Sequence, residues 1–448
     1  MIYSLVEQQL LNTLSPSGRI VLGFSGGLDS RVLLELLARF HQRHPQYAVH
    51  VVHVHHGLSQ HADDWESQCE QWAREAGLPF QCEKVVVDAS DGGIEQGARR
   101  ARYAALRKHM TSDSLLVTAQ HQDDQCETLL LALKRGSGPR GLAAMPALCA
   151  FAGGLHLRPL LSLSRQALET YAEAANLSWV EDESNADDRY DRNFLRNQVL
   201  PMLSARWPAV SRNIARSAQL CADQESALSL LLVEKLLAIS TPQGQLRCDA
   251  LLAQDKVLQP QLLRQWLANQ HCTMPSAAQL AAMLSEVVAA KQDANPQLCW
   301  QSYQLRRFQN TLWVVRPTQS LVECEVKLEV GKATVLPDGL GELLLVPRES
   351  DAPDDRASES LALPLRQPEA GQKVQVRFGV EGLKVQPVER QGGRRKMKKL
   401  FQEYAVPSWQ RDRMPMVFYG EELAAIAGLF VCKGFEGTAL TLRWSAPK

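Results

Sequence analysis

Absences bound what this chain can be. No apolar run reaches the roughly 18 residues that a membrane-spanning helix needs. The N-terminal MIYSLVEQQLL lacks a basic segment and contains Glu7, which argues against a secretory signal. A cytoplasmic protein with no membrane partner is therefore expected. The ten cysteines are scattered, and no two stand in C-x-x-C or C-x₂₋₄-C spacing. Neither a zinc site, an iron–sulfur cluster nor a redox dithiol is indicated, and most cysteines read as small buried hydrophobes. Charge of neither sign dominates, with 49 Lys+Arg against 49 Asp+Glu. That balance argues against indiscriminate nucleic-acid binding but allows local patches. Residues 390–399 carry only positive charge, whereas 349–359 holds Glu349, Asp351, Asp354, Asp355 and Glu359. At 448 residues the chain has room for two or three domains, each with its own core.

The most informative segment is Ser25-Gly26-Gly27-Leu28-Asp29-Ser30, between the apolar run Ile20–Phe24 and a helical pattern from Val32. A buried strand that breaks at glycines and restarts as a helix is an anion-binding arrangement, because freed N–H groups and the helix's positive end point at one place. Both glycines are expected to take positive φ and let the backbone come close. Ser25 and Ser30 add hydroxyl donors, and Asp29 adds a carboxylate that Mg²⁺ can bridge to phosphate oxygens. The lysine of a G-x-x-x-x-G-K-[ST] loop is missing, and the pattern is not G-x-G-x-x-G. Chemistry other than γ-phosphate transfer is indicated.

Around this loop, residues 19–182 alternate apolar runs with helical patterns. Strands are expected at Ile20–Phe24, Val49–His55, Gln81–Val87, Leu115–Gln120, Leu155–Pro159 and Trp179–Glu181, with helices near 31–43, 63–76, 94–109, 124–134 and 165–175. The alternation predicts an α/β fold, a parallel sheet covered by helices on both faces. Ligands in such sheets sit at the carboxyl ends of strands. Beyond it, nearly continuous helix is expected over Asn193–Ala238, broken at Pro201 and Pro208. More helix follows at Pro260–Gln270 and Ser276–Ala290, and a β-like stretch at Tyr303–Val315. The boundaries expected are 1–215 for the sheet-bearing first domain, 216–317 for a mainly helical domain, 318–368 for a linker region with weak strand patterns and the Pro- and acid-rich 353–368, and 369–448 for a small α+β C-terminal domain. In the last, strands near Val374–Phe378 and Thr438–Trp444 bracket a basic helix around Arg394–Tyr404.

Four further segments carry chemistry. Val49–Leu58 ends in His55, His56 and Gly57 at a strand terminus, where a histidine can touch nucleotide or phosphate; His50 and His53 read as ordinary strand residues, and no further metal ligand is evident nearby. Gly93–Tyr103 places Arg99, Arg100, Arg102 and Tyr103 on a helix, residue types that suit phosphate and base contacts as well as surface ion pairs. His121–Glu127 spaces His121, Asp124 and Glu127 by three at a helix start. Two carboxylates there can complement the helix dipole, or hold a cationic amine and take its proton during attack. Asp182–Asn185 leads to Arg192 and Arg196, one turn apart, as surface ion-pair partners or a phosphate clamp.

Taken together, SGGLDS (25–30), HVHHGL (53–58), GIEQGARRARY (93–103), AQHQDDQCET (119–128) and DESN…RNFLR (182–196) resemble the PP-loop ATP pyrophosphatases and, within them, the tRNA(Ile)-lysidine synthetase family. GRRKMKKLFQEYAVPSWQRDRMP (393–415) with FYGEEL (418–423) is similar to the terminal tRNA-binding domain of its longer, three-domain bacterial members. The resemblance implies a Rossmann-like sheet with a PP-loop and a carbon–nitrogen ligase. In that reaction ATP adenylylates O2 of the wobble cytidine (C34) of a CAU-anticodon tRNA(Ile), pyrophosphate leaves, and the amine of free lysine displaces AMP at C2. The product, lysidine, shifts reading to the AUA codon. It further implies that Ser25, Gly26, Gly27, Leu28, Asp29, Ser30 and His55 bind ATP, with Asp29 near Mg²⁺. Asp124 and Glu127 are then the catalytic pair that holds lysine, and Arg99, Arg102, Arg192 and Arg196 contact tRNA or cytidine. A homodimer is compatible with it.

The basic C-terminal helix points to tRNA on its own terms. Met397, Leu400, Phe401 and Tyr404 form an i, i+3, i+4, i+7 stripe, which leaves Arg394, Arg395, Lys398 and Lys399 for phosphates. Alternatives stay open at this level. A PP-loop tRNA thiolase would adenylylate the same kind of oxygen but deliver sulfur, and Cys126 is the only cysteine in these motifs. An amidating synthetase, or a nucleotide-binding protein without catalysis, would leave the basic helix or the acidic pair unexplained.

Overall fold

The computed structural model describes residues 2–88, 90, 93–291, 294–348 and 362–445, and the chain divides into two compact units, Met1–Leu231 and Leu232–Lys448. The acidic cluster Glu349 to Glu359 lies outside the described residues, as does most of the expected linker's acidic stretch.

In the first unit, helix α1 (Ile2–Thr13) precedes strand β1 (Arg19–Phe24), helix α2 (Leu28–Arg43), strand β2 (Val49–His55), helix α3 (Ala62–Glu75), strand β3 (Phe80–Lys84), helix α4 (Gly93–Arg107), strand β4 (Ser114–Val117) and helix α5 (Gln122–Lys134). A short helix α6 (Pro139–Leu142), strands β5 (Leu148–Phe151) and β6 (Gly154–Leu157), and helix α7 (Arg165–Ala174) complete the layer. The sheet order is β3-β2-β1-β4-β6-β5; all neighbours are parallel except the β5–β6 pair. Strand order therefore reverses about β1, and the crevice at such a switch point opens beyond the carboxyl ends of β1 and β4. The loop after β1 and the start of α5 both lie there.

Burial explains why these segments form. In β1, Ile20, Val21 and Leu22 are almost wholly buried, since helices cover both faces. On α2, Val32, Leu33, Leu36, Leu37 and Phe40 pack into the same core. Helix α1, absent from the sequence reading, buries Tyr3, Val6 and Leu10 at helical spacing. The expected strand Gln81–Val87 stops at Lys84, and Trp179–Glu181 is no strand; its Val180 amide instead donates to Gly26 O at 3.0 Å and pins the loop. The antiparallel edge strand β5 was not expected. Its hairpin turns on Ala152 and Gly153, both at positive φ, and alanine there hides the usual Asn-Gly turn signal.

Past α7, helix α8 (Asp191–Phe194) runs through a π-helical turn, Leu195–Val199, into helix α9 (Leu200–Arg206). Pro201 does not interrupt the helix as expected. It sits in the first turn of α9, where its missing N–H matters little. Before Pro208 the backbone at Trp207 turns extended, as a residue preceding proline must, and helix α10 (Val210–Ile239) follows.

The second unit combines helices Leu258–Asn269 and Ala277–Ala282 with an antiparallel sheet of Leu246–Arg247, Thr311–Val315, Tyr303–Phe308 and Gln297–Trp300. Two further antiparallel sheets follow, with a two-stranded ribbon of Lys384–Val385 and Arg395–Lys396. One contains Glu325–Lys327, Val374–Arg377, Met416–Tyr419, Glu422–Ile426 and Phe430–Val431; the other contains Ala333–Val335, Glu342–Pro347, Leu440–Ser445 and Leu363–Leu365. The described parts of 318–368, where the sequence shows only weak strand patterns, supply strands to the C-terminal sheets. Their short, interrupted apolar runs hid them. No described helix is long and apolar enough to cross a membrane.

One close approach is testable. Gly97, buried on α4, leaves no room for a Cβ, which would run into the Asp88 carbonyl oxygen. Gly97→Ala should push α4 off the preceding loop and cost about 1–3 kcal/mol, as overpacking does. A denaturant midpoint equal to that of the unsubstituted protein would contradict this contact.

Candidate active site

The loop after β1 has the geometry of an anion cradle, with one revision. Gly26 has φ +83°, and a Cβ there would come within 2.7 Å of Cys69 Sγ. Gly27, however, is extended (φ −70°, ψ 164°), so only one of the two glycines needs left-handed backbone. Gly27 is the N-cap of α2, and no side chain caps that end. The first N–H groups of α2 therefore remain for a ligand. Ser25 Oγ and Ser30 Oγ lie 3.0 Å apart, and Ser30 Oγ donates to Gly27 O at 2.9 Å. Leu28 points into the core, so only its backbone can serve the loop.

Asp29 links this loop to α5. Its Oδ2 lies 3.4 Å from His121 Nε2 and 3.5 Å from Arg165 Nη1, while Oδ1 is buried with no hydrogen-bond partner among the described residues. Burial alone would raise its pKa; His121, Arg165 and Arg196 outweigh that and lower it.

His121 is 1% exposed and occupies the N-cap position of α5. Asp29, Asp123 and Asp124 all place carboxylate oxygens 3.4–3.5 Å from its ring nitrogens. The Asp123 amide, 3.2 Å from Nδ1, suits a neutral ring, and the Asp123 carboxylate on the same nitrogen suits an imidazolium. Three acids around one ring favour the imidazolium, although none of them hydrogen-bonds Nε2. Burial opposes the charge, yet Asp123, Asp29 and Asp124 together raise the pKa to about 10. Asp123 is tied down further by the Arg165 amide, which donates to its Oδ2 at 2.8 Å.

One turn on, the acidic pair is held by arginines. Arg196 Nε donates to Glu127 Oε1 at 2.7 Å, and its Nη2 donates to Asp124 Oδ1 at 3.0 Å. Arg192 Nε is 3.1 Å from Glu127 Oε2, and Arg192 Nη2 donates to Thr128 Oγ1 at 3.1 Å. The Glu127 side chain is wholly buried, whereas Asp124 retains some exposure. Burial pushes the Glu127 carboxyl up, and Arg196 and Arg192 hold it back. Arg196 belongs to the π-helical turn, a distortion that often marks functional positions. The residues read as tRNA clamps thus meet the residues read as the lysine site.

The remaining candidates scatter more. His53 Nδ1 contacts Phe24 O at 3.0 Å, a strand residue as expected. His55 Nε2 lies 3.1 Å from Asp63, and with Glu66 these three side chains form a cluster of metal-ligand type that the sequence reading missed. Lys84 Nζ sits 3.3 Å from Asp63 and 3.0 Å from Glu66, so an ammonium already supplies the cation there. Neither ring nitrogen of His56 is hydrogen-bonded among the described residues; burial first, then Arg102, lowers its pKa to about 4. Arg99 lies over the Tyr103 ring at 5.0 Å. Arg102 is exposed and within electrostatic reach of Arg99, Arg192 and Asp182. Cys126 is buried, donates to Ser211 O at 3.2 Å, and burial pushes its thiol to about 12. A reactive thiolate is not available in this motif. Arg165 had no signal in the sequence beyond Ser164, which caps α7.

In the second unit, the basic segment is shorter than a helix from Arg394 would be. Helix Met397–Glu403 buries Met397, Leu400 and Phe401, as the stripe predicts. Arg394 precedes it, and Arg395 lies on a two-residue strand and pairs with Glu403. Lys398 and Lys399 are exposed, with no ion pair among the described residues.

A parallel sheet with a glycine loop at its switch point, facing buried acids and arginines, defines the class. Residues 3–203 match the PP-loop domain family, 246–313 the TilS substrate binding domain and 374–446 the TilS substrate C-terminal domain. The chain is 46% identical over 445 residues to the tRNA(Ile)-lysidine synthase of Photobacterium profundum, covering 99% of each. It is 44% identical to that of Vibrio vulnificus (99% of each chain) and 44% identical to that of Salmonella typhi (97% of this chain, 99% of the relative). The chain belongs to the tRNA(Ile)-lysidine synthase family. Among solved structures, the U34-tRNA thiolase NcsA from Methanococcus maripaludis superposes on 49% of this chain and 78% of its own, with a TM-score of 0.43 and 16% identity, and carries no weight between the two chemistries.

The raised pKa of His121 makes a directional prediction. Its stabilising contribution is complete below the ordinary pH 6.5 and is lost as pH rises through about 10. Chemical denaturation should show His121→Gln less stable than the unsubstituted protein by a few kcal/mol, roughly, below pH 6.5, with the gap narrowing toward pH 10. A gap that widens with rising pH would mean that the ring is neutral.

Proposed function

We propose that this protein ligates free lysine to C2 of the wobble cytidine of a CAU-anticodon tRNA(Ile), consuming ATP and releasing AMP and pyrophosphate. Full-length membership of the family carries the reading. The built loop and the arginine-bound acids opposite it supply chemistry that agrees. A cytosine carbonyl oxygen leaves poorly, and AMP leaves well. In the first step, O2 of the cytidine attacks the α-phosphorus of ATP, forming an O–P bond as the bond to pyrophosphate breaks. In the second, the lysine side-chain amine forms a C–N bond at C2, AMP departs, and the amine's proton goes to a base.

The open amides of α2, with Ser25 and Ser30, would bind the pyrophosphate end of ATP. The partnerless buried Asp29 Oδ1 fits a magnesium ion, which when bound would neutralise charge on the departing pyrophosphate. Asp124, partly exposed and next to the loop, is the carboxylate placed to hold the lysine ammonium and accept its proton. Glu127, buried on Arg192 and Arg196, acts through them: it positions guanidiniums that meet tRNA or cytidine, with Arg99 and Arg102 beside them. Of the ATP contacts, His55 is the weakest, because Asp63 already engages it. The exposed Lys398 and Lys399, with Arg394, serve tRNA phosphates. The cytoplasm, where tRNA and free lysine meet, is the site of action; a homodimer is left to sedimentation.

Purified protein, ATP, Mg²⁺, labelled lysine and a CAU tRNA(Ile) transcript should yield lysine-labelled tRNA with equimolar AMP. Asp124→Asn should abolish transfer while tRNA binding persists. Label incorporated without tRNA, or sulfur incorporated instead, overturns the reaction; full activity in the variant removes Asp124 from it.

A further inference from the structure

The second unit holds a cavity of about 590 Å³ whose lining chemistry differs from the loop site. Trp266, Trp313 and Trp409 line it together with Arg316, Arg413 and four glutamines, and none of the described lining residues is acidic. Trp409 comes from the segment between the basic helix and the strand Met416–Tyr419, a stretch of the C-terminal motif to which the ligation reaction gives no role. Its ring lies 6.1 Å from that of Trp313 and 6.1 Å from that of Phe308, with the Arg306 guanidinium 5.4 Å from its centroid. Trp266 and Trp313 have satisfied their indole N–H groups, on Gly244 O and Thr311 Oγ1. Trp409 Nε1 has no hydrogen-bond partner among the described residues, and its ring is only half-buried.

The half-buried indoles of Trp313 and Trp409 beside guanidiniums, with amide side chains and no carboxylate among the described lining residues, match one ligand class. A nucleobase offers a flat face to stack on tryptophan and edges for glutamine amides. Its phosphate suits arginine. Arg413 is already paired with Asp338 at 2.9 Å, but Arg306 and Arg316 form no ion pair among the described residues. A free apolar metabolite would leave these charges unanswered, and a paired stem would hide its bases from the indoles. We propose that this cavity takes an unpaired nucleobase of the tRNA, one outside the anticodon, since the wobble base is committed to the loop site. This rests on tRNA being the substrate.

Binding of the full-length protein to the CAU tRNA(Ile) transcript tests it without reference to turnover. Trp409→Ala should weaken binding about tenfold, the scale of one lost base stack. Trp409→Phe should recover most of that loss. The slope of log affinity against log salt should stay the same in Trp409→Ala, because a stack and not a phosphate contact is removed. Thermal melting of both variants checks that they fold. Undiminished binding by Trp409→Ala overturns the proposal. So does a Trp409→Phe protein as weak as the alanine variant, or a salt slope that falls by about one phosphate contact. Were tRNA not the substrate, the unsubstituted protein itself would fail to prefer the transcript, an outcome distinct from all of these.

Discussion

A buried imidazole among three carboxylates organises this site. His121 touches Asp29 from the anion loop, Asp123 from the start of α5 and Asp124 from the candidate lysine site. Burial alone would push Asp29 and Asp123 to protonate, and the cations beside them oppose that. With His121 charged, Asp29 and Asp123 are held ionised below their ordinary pKa. One ring thus ties the nucleotide end of the cleft to the acid that the proposed reaction uses as its base.

The arginines complete the same electrostatic unit. Arg165 reaches Asp29 from α7, and Arg196 reaches Asp124 and Glu127 from the π-helical turn. Glu127 would be an expensive buried charge without Arg192 and Arg196. Its carboxylate engages both guanidiniums and so fixes where they stand. The fold's part is to bring four separate chain segments to the carboxyl ends of β1 and β4, where the strand order reverses.

Much of this was legible in the sequence, and the failures have physical causes. The strand–loop–helix at Ser25–Ser30 and the parallel alternation could be read because buried strands and an interrupted glycine run leave strong local patterns. Asp124 and Glu127 could be read as a pair by spacing, but spacing could not show that Arg192 and Arg196 would grip them. That contact joins residues more than sixty positions apart. Arg165 escaped for the same reason, and the Asp63–Glu66 partnership of His55 needed α3 folded against β2. Local surprises came from backbone conformations the residue types conceal: Ala152 at positive φ in a tight hairpin, Gly27 extended, and Pro201 taken into the first turn of α9. In the C-terminal domain the apolar stripe of Met397, Leu400 and Phe401 was plain, whereas the pairing of Arg395 with Glu403 was not.

The account stands or falls on the charge of His121. Nuclear magnetic resonance of protein with ¹⁵N-labelled histidine reports the protonation of each ring nitrogen directly. The His121 resonances should show both nitrogens protonated at neutral pH and titrate only as the pH approaches about 10. A ring that is neutral at pH 7, titrating near the ordinary 6.5, would contradict the account.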